Sequence, residues 1–240
     1  MVKPQYTDAG QGPVLLLVHG WGGDRRAWGP IAGDLARRFR VIAVDLRGHG
    51  SSAAPRHGYR PADLAADLTG LVPGPVIAVG HSMGAQVVTA LAVEHPGLVR
   101  ALVVIDPAYG ADEAEERTFA ARLAALEAEG PAAAVRQLGD LPRAIRDQLL
   151  ATPGHVLARC YEGMYLAPDA FGARPAAEKY LARRECPVLC LRSQSEPAAW
   201  EAGLPAPAGS KVVVWEGTGH FLHTERPREF VELLGSWLED

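Results

Sequence analysis

Three observations in the amino-acid sequence predict an α/β fold, with a mostly parallel doubly wound sheet and an inserted helical block. Apolar runs of strand length stop on glycine-rich turns, as Val14 to Val18 does before His19-Gly20-Trp21-Gly22-Gly23. Segments with apolar residues at helical spacing separate those runs, and that alternation builds parallel sheets covered on both faces. The alternation holds at both ends of the chain. It is interrupted once, between about residues 111 and 184, by a stretch of Ala, Glu, Arg and Leu at helical spacing with no strand pattern.

Taken in order, residues 5–13 are polar and glycine-rich and read as a short edge strand and turn. The first fully apolar run, 14–18, reads as a buried strand. A helix is expected from about Trp28 to Arg38, with Ile31 and Leu35 on one face. Residues 40–45 repeat the strand pattern and end at Leu46-Arg47-Gly48-His49-Gly50-Ser51-Ser52. Pro61 opens a helix to about Leu71, since a missing N–H costs nothing in the first helical turn. Residues 75–79 form a strand, 83–94 a helix closed by Pro96, and 99–105 a strand ending at Asp106-Pro107.

The helical stretch is broken at Gly130-Pro131, Pro142, Pro153-Gly154 and Pro168, so it is expected to be several short helices. Strands resume at 187–191 and 211–215, with a Pro-rich loop over 197–209 between them, and a helix from Pro227 to about Leu238 closes the chain. The expected organisation is one core, residues 1–106 and 186–240, with an insertion at 107–185. An insertion after a strand's carboxyl end lies where open α/β sheets bind ligands, so it is placed as a lid.

Composition narrows the function classes. The 240 residues hold 24 basic and 28 acidic side chains, a formal charge of −4, which argues against a phosphate-backbone surface and hence against nucleic acid as a partner. No apolar run approaches the roughly 20 residues of a membrane helix, and no membrane partner is expected. The N-terminus, Met1-Val2-Lys3-Pro4, carries no apolar leader segment, and the expected location is cytoplasmic. Cys186 and Cys190 lie roughly 13 Å apart at strand rise, too far to bridge, and with Cys160 they form no disulfide framework. Nothing in the sequence bears on oligomeric state.

The chemistry is expected at Val76-Ile77-Ala78-Val79-Gly80-His81-Ser82-Met83-Gly84-Ala85. A strand running straight into a helix cramps the turn residue, and Gly80 and Gly84 are the small neighbours such a turn requires around Ser82. A serine hydroxyl becomes a nucleophile when an imidazole takes its proton and a carboxylate holds the imidazole's second nitrogen. Glu216-Gly217-Thr218-Gly219-His220-Phe221 follows the last strand, which puts His220 on a glycine loop at the same edge as Ser82. His19, His49 and His81 read as structural members of their turns. His220 and His223 form His-x-x-His without the further ligands that zinc needs, so no metal is expected. No glycine turn has the form of a P-loop or a dinucleotide site, and no cofactor is expected.

These pieces together resemble the α/β-hydrolase superfamily over essentially the whole chain. The matching segments are His19-Gly20-Trp21-Gly22, Asp45-Leu46-Arg47-Gly48-His49-Gly50, Gly80-His81-Ser82-Met83-Gly84 and Gly219-His220-Phe221, in the family's order. The resemblance implies Ser82 as nucleophile, His220 as base, and the backbone amides of Trp21 and Met83 as donors to the oxyanion. It also implies an acid, and here the chain departs from the family pattern of an Asp three residues after a Gly beyond the strand at 187–191. The segment reads Arg192-Ser193-Gln194-Ser195-Glu196-Pro197, with Ser193 in the Gly place and Glu196 in the Asp place. Glu196 is the preferred acid; Asp106, at a position some family members use, is the alternative.

A serine at the elbow argues against the branches of the family that carry Asp there, the dehalogenases and epoxide hydrolases. The expected function is a cofactor-free serine hydrolase whose partner is a small-molecule acyl substrate: an ester, thioester or lactone. A lyase or a cofactor-free perhydrolase could use the same residues, and a ligand-sensing protein could keep the pocket without turnover. Tyr161, Met164, Tyr165 and Phe171 are candidates for an apolar acyl pocket, and Arg143, Arg146 and Arg159 for binding a substrate carboxylate.

Overall fold

The computed structural model describes residues 1–239. Seven strands form one sheet: β1 (Gln5–Ala9), β2 (Val14–Val18), β3 (Arg40–Asp45), β4 (Val76–His81), β5 (Val99–Ile105), β6 (Val188–Arg192) and β7 (Lys211–Val214). Their order is β1-β3-β2-β4-β5-β6-β7, with β1 antiparallel to β3 and every other pair parallel. Leu15, Leu16 and Leu17 are all fully buried because helices cover both faces of β2. Leu16 and Val18 enter one core and Leu15 and Leu17 the other, the two-residue period of a strand.

One face is covered by α2 (Pro61–Leu68) and α3 (Met83–Glu94), whose Leu64, Leu68, Val87, Val88 and Leu91 pack with Leu16 and Val18. On the other face α1 (Gly29–Leu35) and a long C-terminal helix over Pro227–Glu239 contribute Ile31, Leu35, Phe230, Leu234 and Trp237. Between β5 and β6 the chain forms α4 (Glu113–Glu116), α5 (Phe119–Glu129), α6 (Pro131–Leu138), α7 (Arg143–Ala151), α8 (Gly154–Tyr165) and α9 (Arg174–Leu181). This block has its own core around Phe119, Leu126, Leu149, Leu157 and Tyr161.

The chain winds from β2 to β3 on one side, then crosses to β4 on the other. The β2–β4 pair is therefore where the winding reverses, and Val18 lies opposite Gly80 in its register. The turns that leave these two strands are neighbours at the carboxyl edge, the position at which doubly wound sheets hold ligands.

Three local features differ from the sequence expectation. Residues 25–28 form a 3-10 turn, capped by Asp24 accepting from the Arg26 amide, and α1 stops at Leu35 instead of reaching Arg38. The expected Pro-rich loop begins as a helix, α10 (Ser195–Ala202). Pro197 is its third residue, where the N–H has no intrahelical partner, so proline does not break it. A single turn, α11 (Leu222–Glu225), precedes the terminal helix, α12 (Pro227–Glu239), and is too short to leave a periodic signal. The three cysteines are free and buried. Among the described residues no helix is long and apolar enough to cross a membrane.

Candidate active site

Ser82 joins β4 to α3 with φ 53° and ψ −116°, a conformation that L-residues avoid. Neighbouring chain fixes it there. The Ser82 amide donates to the Ile105 carbonyl at 2.9 Å, and the Ser82 carbonyl accepts from Ala85 at 3.0 Å and Ala108 at 3.2 Å. A methyl group on Gly80 would strike the Gly84 carbonyl, and one on Gly84 would strike the Val18 and His19 carbonyls. Both glycines are thus required by close backbone approach. Ser82 stands at the N-cap position of α3 but its side chain makes no capping bond, so the hydroxyl is left for other use.

His220 follows β7 on a loop that is tied down twice. The Glu225 carboxylate accepts from the Gly219 amide at 2.9 Å, and buried His81, the residue before Ser82, donates Nε2–H to the His220 carbonyl at 2.8 Å. Burial drives the His81 pKa well below its ordinary value, which keeps the ring neutral. The histidine expected only to shape the elbow therefore also links the elbow to the loop bearing His220.

The carboxylate beside His220 is that of Asp106, whose Oδ2 accepts from Nδ1 at 2.7 Å. Ser193 completes the arrangement: its amide and hydroxyl each donate to Asp106 at 3.0 Å. Burial alone would raise the Asp106 pKa, but the bonds from His220 and Ser193 outweigh it and hold the carboxyl below its ordinary value. Because Asp106 is ionised, Nδ1 carries the imidazole proton and Nε2 is left as the basic nitrogen. Arg192 supports the same turn from below. It donates to the Pro107 carbonyl at 3.2 Å and is itself paired in the interior with Glu201 at 2.7 Å.

Glu196, the preferred acid on sequence grounds, lies elsewhere. It sits in the first turn of α10, mostly exposed, and both its carboxylate oxygens accept from Arg174 at 2.6 Å. The helix that starts at Ser195 carries this side chain away from His220. Asp106 takes the place because its own backbone turns inward at the end of β5, with φ 41°. Among the described residues, Ser82 and Asp106 are the only non-glycine residues with positive φ. Strained backbone of this kind collects at functional sites.

The turn after β2 brings Trp21 beside the elbow. His19 shapes this turn: Nδ1–H donates to the Gly20 carbonyl at 2.8 Å and Nε2 accepts from the Leu46 amide at 3.0 Å. Burial pushes its pKa down to about 4, so the ring is neutral, as both bonds require. The Trp21 indole donates to the Leu157 carbonyl of α8 at 3.0 Å, fastening the turn to the helical block. The amides of Trp21 and Met83 make no hydrogen bond among the described residues. Met83 opens α3, so its N–H points out of the helix's positive end.

A cavity of about 110 Å³ lies over these groups. Ser82, His220 and Trp21 line it from the sheet side, and Leu138, Ile145, Tyr161, Met164 and Tyr165 from the helical block. Phe171 does not contribute: it stacks on Tyr180, with centroids 4.0 Å apart, in a separate small core. Arg143 and Arg159 lie on the surface, paired with Asp147 at 3.7 Å and Glu162 at 2.6 Å. Sequence reasoning missed Ser193 and the Arg192–Glu201 pair. The only available signal was Ser193 itself, a hydrogen-bonding residue where the family pattern has glycine.

The model of the alpha/beta hydrolase family matches residues 15–233. Among curated proteins, a 2-(acetamidomethylene)succinate hydrolase of Mesorhizobium japonicum is 42% identical over 103 residues, 41% of this chain and 37% of the relative, so the match spans under half of either protein. An (E)-2-((N-methylformamido)methylene)succinate hydrolase of Acinetobacter baylyi is 26% identical over 248 residues, 98% of this chain and 93% of the relative. Among solved structures, a thermophilic esterase from Thermogutta terrifontis superposes with a TM-score of 0.82 at 26% identity, covering 99% of this chain and 93% of the esterase. With its family match extending from β2 into α12, the chain belongs to the alpha/beta hydrolase family.

Proposed function

We propose that this chain is a serine hydrolase that cleaves a small ester, thioester or lactone through an acyl-enzyme intermediate on Ser82. The observation that carries the reading is the 2.7 Å bond between His220 Nδ1 and an ionised Asp106, with His220 Nε2 left basic in the cavity that Ser82 also lines. Ser82 Oγ attacks the acyl carbon while its proton passes to His220 Nε2. The oxyanion so formed is held by the amides of Met83 and Trp21, and each such donor is worth roughly 3 kcal/mol in the transition state. His220 then delivers the proton to the departing oxygen or sulfur. Water repeats the sequence, giving its proton to His220 as it attacks the acyl carbon, and Ser82 recovers a proton as the acid leaves.

Asp106 acts as the acid of the triad, keeping the imidazole in one tautomer and balancing its charge when protonated. The helical block is the lid that closes the acyl pocket. The relatives named above are hydrolases of small substrates, which supports the same class of reaction here. The test is turnover of p-nitrophenyl acetate and butyrate by the wild type and by Ser82→Ala. The reading predicts a rapid burst followed by steady hydrolysis, with kcat lowered about 10⁴-fold or more in the variant. Undiminished turnover in Ser82→Ala, or no turnover and no acyl adduct in the wild type, contradicts it.

A further inference from the structure

The cavity over Ser82 is mostly apolar toward the helical block, with Gln137, Gln148 and, where α5 meets α8, Arg122 and Tyr161 as its polar side chains. Arg122 of α5 is the only Lys, Arg, Asp or Glu that lines it, and it forms no ion pair among the described residues. Of the arginines expected on sequence grounds to meet a substrate, Arg143 and Arg159 are paired and Arg146 is exposed, and none of the three lines the cavity, whereas Arg122, though also exposed, does. Glu115 lies near Arg122 along the adjoining surface cavity but makes no ion pair with it.

Tyr161 of α8 lines the same cavity, is 96% buried by its relative exposure of 4%, and leaves its hydroxyl without a hydrogen-bond partner. Arg122 and Tyr161 share the cavity wall where α5 packs on α8, and the guanidinium, by its charge and by approaching the phenol as a hydrogen-bond donor, opposes the rise that burial imposes on the phenol's pKa. Gln148 adds a second buried polar group in the wall, its amide oxygen also unpartnered. Buried polar atoms are mostly satisfied in folded proteins, and the Tyr161 hydroxyl and the Gln148 amide oxygen are two that lack a clear protein acceptor or donor, both on side chains of the cavity wall. An unpaired guanidinium beside an orphan hydroxyl matches a carboxylate, which takes a two-pronged bond from arginine and a further donor from the phenol.

We propose that Arg122 and Tyr161 form a carboxylate-binding subsite, and that the substrates of this chain are acyl compounds carrying a free carboxylate, such as monoesters of short dicarboxylic acids. The inference rests on the serine-hydrolase reading for its substrate class, but the subsite can be tested without turnover. Hydrolysis of monomethyl succinate, glutarate and adipate is compared with that of methyl butanoate, an uncharged ester of similar size. The best of these dicarboxylic acid monoesters is expected to exceed methyl butanoate in kcat/KM. Arg122→Met lowers that ratio at least about tenfold, mainly through KM, the loss typical of a hydrogen bond to a charged group. Arg122→Lys restores part of it, and Arg143→Met leaves it unchanged.

In parallel, calorimetry measures binding of monomethyl glutarate to Ser82→Ala and to the Ser82→Ala/Arg122→Met double variant, with at least about tenfold weaker binding expected in the second. Equal binding by the two, or a kcat/KM ratio that Arg122→Met leaves unchanged, overturns the subsite while leaving the hydrolase reading intact. If no ester is turned over at all, the hydrolase reading fails and the calorimetric comparison alone decides the subsite.

Discussion

The turns leaving β5 and β6 lie on adjacent strands at one edge of the sheet, and each carries a carboxylate within a few residues of the strand end. They differ in what the backbone does next. After β5 the chain turns inward through Asp106 with φ 41°, so a short side chain is half-enclosed, receives two donors from Ser193 and meets His220. After β6 the chain starts α10, and the longer Glu196 points along the surface to Arg174. A carboxylate at the right sheet edge is therefore not sufficient. Its service to an imidazole depends on a backbone conformation that costs about 1 to 3 kcal/mol and must be held by neighbours.

The sharpest way to break this comparison is to neutralise the two carboxylates separately. Asp106→Asn removes the acceptor that holds the His220 tautomer and is expected to lower kcat about 10⁴-fold with the fold retained, as steady-state kinetics and circular dichroism together would record. Ser193→Ala takes one donor from Asp106 and is worth roughly 1.5 kcal/mol, or about tenfold in kcat. It also has a signature that a packing defect lacks. With fewer donors the Asp106 pKa rises, so the acid limb of the pH–rate profile moves to higher pH.

Charge state also governs stability at this edge. Burial pushes His19 down to about 4 and His49 and His223 each to about 3, against about 6.5 for an unfolded histidine. Below pH about 6.5 the unfolded chain binds protons that the fold refuses. Stability to urea is therefore complete above that pH and declines progressively as the pH falls toward 4. Urea midpoints independent of pH across that window would show that these rings are not buried neutral. Glu196→Gln is the smallest expected effect, within about twofold of wild-type kcat, because a mostly exposed ion pair contributes little.

The legibility of the sequence follows the same division. The demands on Ser82 are local: a strand, a turn that must exclude Cβ atoms, and a helix, so Gly80 and Gly84 at fixed spacing expose it. His220 was equally readable from its glycine loop after the last strand. The fold class followed from alternating strand and helix periods, and the strands lie within a residue or two of expectation. The sequence offered both Glu196 and Asp106 as the carboxylate partner but favoured the wrong one, because the choice depends on the sign of one φ angle at residue 106 and on a helix beginning at Ser195 despite Pro197. Arg122 was hidden for a related reason. In an Ala-rich block of short helices, the face each helix turns to the cavity is set by how the helices pack on one another, and its sequence spacing carries no record of that.

The most direct test of the account is mass spectrometry of the wild-type protein quenched with acid during steady-state turnover of p-nitrophenyl butyrate, followed by peptide mapping. One butyryl group is expected on the peptide containing Ser82, with no adduct in Ser82→Ala and a greatly reduced rate of labelling in Asp106→Asn but not in Glu196→Gln. A butyryl group on another residue during turnover, or labelling slowed by Glu196→Gln and not by Asp106→Asn, would contradict it.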